Sequence, residues 1–254
     1  MKSSYPLRSS ILLLFAMLWL PLGQHEFLLD HWMKIGTYAI PFLLIAAFAF
    51  WEAPEPTRPL YHFRFLGLLL LIAYLVHQYE EHWIDLYGNY YAFYTFNNNF
   101  ILSNLGQPEA ATQPLTKAAV FMINTALVWL VGLLAILRSP RHLFPLIAMA
   151  SIIVVNGLVH LLAGLVNWQY NPGLLTSVVL FVPLYFWFAR YLLRSSPSYR
   201  KPLWGGILWA LLAHVLMVGG LLAANWWELI PEGGYFALLV LWSLLPLALF
   251  RPAS

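Results

Sequence analysis

Residues 77–82 read His-Gln-Tyr-Glu-Glu-His, so one imidazole is followed three and four positions later by two carboxylates. On a helix of 3.6 residues per turn, His77, Glu80 and Glu81 share a face, while Tyr79 and His82 point elsewhere. Leu75 and Val76 directly precede the run and keep His77 near apolar surroundings. An ionised carboxylate costs about 2.5–3.5 kcal/mol at a bilayer centre and less toward the interface. Two adjacent acids on the His77 face therefore call for a metal ion, a cationic partner or a shared proton. The plainer reading is a helix that has reached water, with Glu81 through Asp85 as a solvated cap.

Two further polar groups fall in apolar stretches. Asn156 and His160 are one helical turn apart, with Asn167 on the same stripe and Gly157 and Gly164 open to close helix approach. His160 lies about 10 Å from the end of its segment at about 1.5 Å per residue, a depth comparable to that of His77. The third group is Tyr170-Asn171-Pro172-Gly173, where Pro second and Gly third suit a type II turn that would also fix Tyr170 over a site. His214 with Asn225, and the cluster His25, Glu26, Asp30 and His31, are weaker candidates for joining it or for plain interfacial roles.

His77, Glu80 and His160 make a mixed imidazole–carboxylate ligand set for a divalent metal. The chain has no Cys, which removes thiolate ligands, disulfides and a Cys nucleophile, so Zn leads and Fe is the other candidate. Glu80, one turn from His77 and deeper, is the expected ligand. Glu81, nearer water, is the expected general base toward a water that the metal acidifies. Asn156 is expected to orient His160 by a hydrogen bond, and Tyr170 to complete the catalytic set. Di-iron bundles use Glu-x-x-His from paired helices, whereas here the order is His-x-x-Glu and no second intramembrane helix carries a Glu; a mononuclear hydrolytic site is favoured over an oxidative one. Two alternatives remain. One is a metal-free enzyme of cyclase or isomerase type with a protonated Glu as acid. The other is a proton-coupled transporter, since intramembrane His and Glu also build proton relays.

The elements that must position these residues follow from composition. Of 254 residues, 61% are hydrophobic and only 9% charged, against about 25% charged in soluble domains. The chain is therefore expected to be an all-α, polytopic transmembrane helix bundle forming one domain over 1–254. Apolar stretches predict eight spans: 10–29 (with a Pro21-Leu22-Gly23 break), 35–51, 63–83, 117–137, 142–167, 173–193, 203–224 and 234–250. Lys2 and Arg8 before the first could open a signal peptide, but no small-x-small cleavage site follows, so an uncleaved span is expected.

With both termini inside, eleven Lys and Arg fall inside and only Lys34 and Lys117 outside, as the positive-inside rule demands. Eight of the ten acids fall outside, which gathers the chemistry on the non-cytoplasmic face, expected to be that of a bacterial inner membrane. The scattered cations and net charge of +3 offer no patch for nucleic acid. The expected partner is a membrane lipid or amphipathic small molecule; the sequence sets no oligomeric state. Residues 84–116, rich in Tyr, Phe and Asn, read as an outer interfacial loop or as a plain connector with its aromatics in the headgroups.

His77-x-x-Glu80-Glu81, Asn156-x-x-x-His160 and Tyr170-x-Pro172-Gly173 occur in this order and together resemble the integral membrane proteins named for their HXXEE motif. The likeness covers residues 63–193, the motif-bearing core, and leaves out the N-terminal and last two spans and the aromatic loop. The resemblance implies a catalytic role whose reaction is not established, and it supports this choice of residues without naming a substrate.

Overall fold

The computed structural model describes residues 25–51, 58–105, 113–139 and 141–249. Among these the chain is helical, with one isolated bridge between Ile84 and Tyr90 and no strand. The helices are α1 (Glu26–Trp51), α2 (Arg58–His82), α3 (Ala92–Leu105), α4 (Lys117–Arg138), α5 (Phe144–Asn167), α6 (Leu174–Ser195), α7 (Arg200–Asn225) and α8 (Glu232–Leu244).

Five helical stretches are long and apolar enough to cross a membrane: Glu26–Trp51, Lys117–Arg138, Phe144–Asn167, Leu174–Ser195 and Pro197–Asn225. Helix α2 is 25 residues long, but carries His77, Gln78, Glu80 and Glu81 in its last turns. The surface supports the same reading by inversion. Phe42, Phe48, Val166 and Val215 are exposed, while His77, Gln78, Glu81 and Asn124 are buried. In water that distribution would be unfavourable; in lipid it is the stable one. This is the make-up of an integral membrane protein.

Of the five apolar stretches, α4 and α5 are the most enclosed, with Ala126, Leu146, Ile147, Met149 and Ile153 fully buried. Helix α1 lies along α2, and α7 along α5. Polar contacts tie one end of the bundle together. Lys117 Nζ at the start of α4 meets Asp30 Oδ1 of α1 at 2.7 Å. Thr116 caps α4 by accepting from Ala119 N and donates to Glu232 Oε1 at the start of α8, at 3.0 and 2.6 Å. Asn225 at the end of α7 donates to Pro114 O at 3.0 Å.

Two helices open into π turns beside this end. In α4 the turn spans Thr125–Leu130. Where it begins, Asn124 Nδ2 and Thr125 Oγ1 donate to the carbonyls of Val120 and Phe121, at 2.9 and 2.7 Å, and compete with the regular ladder. In α6 the turn spans Ser177–Phe181, two residues before Pro183, which has no N–H to continue the ladder.

Three expectations need correction or limits. Residues 26–29, assigned to the end of a first span, belong to α1, and residues 30–34, expected as the turn after it, are helical too. The pairing of Asp30 with Lys117 and the burial of Trp32 and Met33 offset the polar character that suggested a turn. The rest of that span, its Pro-Leu-Gly break and the signal-peptide region lie outside the described residues. The segment 84–116 is not a plain connector, for it contains α3. Asn98 both donates to and accepts from the Leu115 backbone, at 3.1 and 3.0 Å, closing the segment on itself.

Candidate metal centre

The last turns of α2 carry His77, Glu80 and Glu81 into contact with α5 and the start of α6. His160 of α5 faces His77 with ring centroids 4.9 Å apart. Between them lies Glu81: its Oε2 is 3.3 Å from His77 Nε2, and its Oε1 is 3.0 Å from His160 Nε2. These three residues are buried, and their ligand atoms all lie within 4.8 Å of one another. Donors about 2.1 Å from a tetrahedral metal stand about 3.4 Å apart, close to the spacing of Glu81 from each imidazole.

Hydrogen-bond accounting sets the tautomers. Asn171 Nδ2 donates to the backbone carbonyl of His160 at 3.0 Å, so its Oδ1, 2.7 Å from His160 Nδ1, accepts from that nitrogen. His160 thus carries a proton on Nδ1 and turns Nε2 toward a carboxylate. Thr176 Oγ1 gives its hydrogen to Glu80 Oε2 at 2.5 Å, and so accepts from His77 Nδ1 at 2.8 Å. His77 Nε2 then accepts from Asn156 Nδ2 at 3.1 Å. Two imidazole Nε2 atoms therefore converge on one carboxylate, an arrangement that a metal ion or a shared proton between them would satisfy.

The two carboxylates have exchanged the positions expected of them. Glu80 does not face His160. Its Oε1 accepts from Tyr170 Oη at 2.9 Å and Leu175 N at 3.1 Å, and its Oε2 from Thr176 N at 2.8 Å and the Thr176 hydroxyl. It sits at the N-terminus of α6, where free backbone N–H groups and the helix dipole favour negative charge. The cause is angular: Glu81 lies about 40° round the helix from His77 and Glu80 about 60° the other way, and α6 occupies the Glu80 side. Asn156 is also corrected, since its amide meets His77 and the partner of His160 is Asn171.

Tyr170 lies beside Glu80 rather than over the histidines, donating to that carboxylate and accepting from Leu86 N at 3.1 Å. Burial, reinforced by the adjacent Glu80 charge, pushes the phenol above its ordinary range, so it remains a donor. The turn forms as expected, with Leu174 N donating to Asn171 O at 3.0 Å and Gly173 at φ 95°. A Cβ on Gly173 would stand 2.7 Å from His77 Cε1 and 2.8 Å from both Glu81 Cγ and His160 Cε1. Only glycine lets this backbone close over the three side chains.

The comparisons with known proteins bear on this segment. A family described as "protein of unknown function with HXXEE motif" matches residues 68–188. Over this segment the chain is similar to the HXXEE family. The matched HXXEE segment contains His77, Glu80, Glu81, Asn156, His160, Tyr170 and Gly173. No curated protein and no solved structure matches the chain.

The weaker candidates stand apart. His214 Nδ1 bonds the carbonyl of Ala210 in its own helix at 2.8 Å. His25 and Glu26 are exposed, Asp30 pairs with Lys117, and His31 packs on Phe27 with its Nδ1 buried and unpartnered. Three contributors escaped the sequence reading. Thr176 stands in a span start that hydropathy treats as ordinary. Asn171 is the unspecified position of its motif. His82, about 140° round the helix from His77, nevertheless brings Nε2 to 3.2 Å from Glu81 Oε2. A signal was present for Asn124, the lone Asn within the apolar span 117–137.

Proposed function

We propose that this chain is a metal-dependent enzyme of the membrane, in which His77, Glu81 and His160 hold one divalent ion and Glu80 anchors the start of α6. The observation that carries the reading is the convergence of His77, Glu81 and His160, whose ligand atoms lie within 4.8 Å of one another, with His160 Nε2 aimed at Glu81 Oε1 across 3.0 Å and its Nδ1 proton committed to Asn171. Two His and one Glu form the three-ligand set of catalytic zinc sites, which keep a fourth position open for water or substrate. The same set serves non-haem iron oxygenases, so zinc with hydrolysis leads and iron with oxidation follows. Asn156 steadies His77, and Tyr170 with Thr176 keeps Glu80 away from the ion.

The substrate class is a lipid or other amphipathic molecule, because the bundle's exposed flanks are apolar right up to the site: Val159, Leu162 and Val166 lie on the outer face of the helix that carries His160. The topology that fits the charge distribution is eight spans with both termini cytoplasmic, in a bacterial inner membrane, with the site at the non-cytoplasmic side. A second reading draws on the same short contact: a proton shared between His160 and Glu81 would make a metal-free acid catalyst.

The test is lipid mass spectrometry on proteoliposomes of mixed bacterial lipids supplied with zinc. The wild type is expected to convert one lipid class and His160→Ala to be at least about 100-fold slower, since even outer partners of metal ligands cost 10–100-fold. Equal conversion by both proteins rejects the site; conversion that survives removal of all metal favours the acid mechanism.

A further inference from the structure

The Oε2 side of Glu81 is backed by a chain of side chains whose donor and acceptor roles are fixed at both ends. The Trp129 indole can only donate, and its Nε1 meets Gln78 Oε1 at 2.8 Å. Gln78 must therefore present its amide hydrogens to Asn124, donating from Nε2 to Oδ1 at 3.2 Å, and Tyr74 Oη donates to the same oxygen at 3.1 Å. The Val120 carbonyl can only accept, and it takes one hydrogen of Asn124 Nδ2 at 2.9 Å. Both anchors give Asn124 the same orientation. Its remaining amide hydrogen points to His82 Nε2 at 3.1 Å. That nitrogen is thus an acceptor, and the proton of His82 resides on Nδ1.

The consequence falls on Glu81. His82 Nε2 is 3.2 Å from Glu81 Oε2, close enough to donate to it were the ring in its other tautomer. With the chain intact it cannot. Gln78, Asn124 and His82 are all buried, so water is a poor substitute partner. Among the described residues, the polar contacts of the Glu81 carboxylate are the Nε2 atoms of His77, His82 and His160, of which those of His77 and His82 already accept from Asn156 and Asn124.

We propose that Asn124 is a positioning residue for the ion site: by occupying His82 Nε2 it prevents His82 from donating to Glu81, and so keeps the carboxylate charge available to the metal. Gln78 and Trp129 hold Asn124 in that orientation. The proposal rests on the metal reading of His77, Glu81 and His160, but the tautomer of His82 follows from the hydrogen-bond chain alone. The π turn of α4 starts at the residue after Asn124 and contains Trp129, so the backbone irregularity belongs to the segment that presents both groups.

Removing Asn124 releases His82 to take its proton on Nε2 and bond Glu81, and the ion must then displace that bond. Asn124→Ala is expected to bind zinc 10–100-fold more weakly, the range for partners behind the ligands, with Trp129→Phe a smaller change in the same direction. The deciding variant is Asn124→Ala combined with His82→Phe. It removes the competing donor while filling the space between Trp32 and Phe93, whose rings flank His82 at 5.1 and 4.9 Å. The double variant is expected to recover zinc binding relative to Asn124→Ala; damage of a merely structural kind would deepen.

The experiment is nitrogen NMR of ¹⁵N-histidine-labelled, ion-free protein in detergent, followed by zinc competition on the same samples. Wild-type His82 is expected to be protonated on Nδ1 and Asn124→Ala to move the proton to Nε2. A wild-type His82 protonated on Nε2, or a double variant that binds zinc as weakly as Asn124→Ala, overturns the proposal. A wild type with the expected tautomer and no zinc binding overturns the metal reading and the affinity role with it, while leaving the tautomer assignment in place.

Discussion

Glu81→Gln is expected to lose zinc, and its neighbour Glu80→Gln to keep it. Glu81 is the carboxylate between the two imidazoles, at 3.3 Å from His77 Nε2 and 3.0 Å from His160 Nε2. A neutral amide there supplies no charge to the ion and turns an NH₂ toward one of the rings. Zinc affinity should fall by more than about 100-fold, beyond the range for outer partners. Glu80→Gln acts elsewhere. Its carboxylate takes hydrogen bonds from Tyr170, Leu175 N, Thr176 N and the Thr176 hydroxyl. The amide must point its NH₂ at donors on one side, and each buried donor left unpaired costs about 1–3 kcal/mol. This variant should unfold at lower temperature in detergent while binding zinc within about tenfold of the wild type. Equilibrium dialysis with zinc and thermal unfolding of both variants separate the two. The opposite pattern would return the ligand role to Glu80.

Gly173→Ala is expected to abolish the site from the other side. Its φ of 95° is rarely adopted by residues with a Cβ, and left-handed backbone costs an L residue about 1–2 kcal/mol. The larger effect is spatial, because the methyl group would overlap His77 Cε1, Glu81 Cγ and His160 Cε1 at 2.7–2.8 Å. All three would have to move at once, so zinc binding should drop by more than about 100-fold, since misplacing the ligands themselves exceeds the loss of an outer partner. Gly88→Ala is the matched control. Gly88 has φ 81° but nothing within 4 Å of its Cβ position, so that variant should pay only the backbone strain and bind zinc as the wild type does. Loss of zinc binding in both would show that fragility of the fold, not crowding at Gly173, is responsible.

What the sequence reveals here depends on whether a feature is local. The helices α4 to α7 are legible because an apolar stretch of membrane length has few alternatives to a helix. The nearness of His77 and His160 is legible because each can be counted from the end of its own segment. The division of labour between Glu80 and Glu81 is not, since it depends on where the N-terminus of α6 docks. Asn156 and Asn171 lie 15 positions apart, and nothing in their spacing says that the first serves His77 and the second His160. His82 looks misdirected on a helical wheel, yet a ring at the end of a helix reaches round to its neighbour's carboxylate. The start of α1 was obscured by its charges, of which Asp30 is paired across the bundle with Lys117.

The central claim is that His77, Glu81 and His160 hold one divalent ion. Its most direct test is cobalt(II) added to chelator-stripped, detergent-purified protein and followed by visible absorption, which reports the ligand geometry. The wild type is expected to take up a single equivalent with the intense bands of a low-coordinate nitrogen–oxygen site, released by zinc, and His160→Ala to lose them. A wild-type spectrum no different from free cobalt, or one that His160→Ala leaves unchanged, would contradict the account.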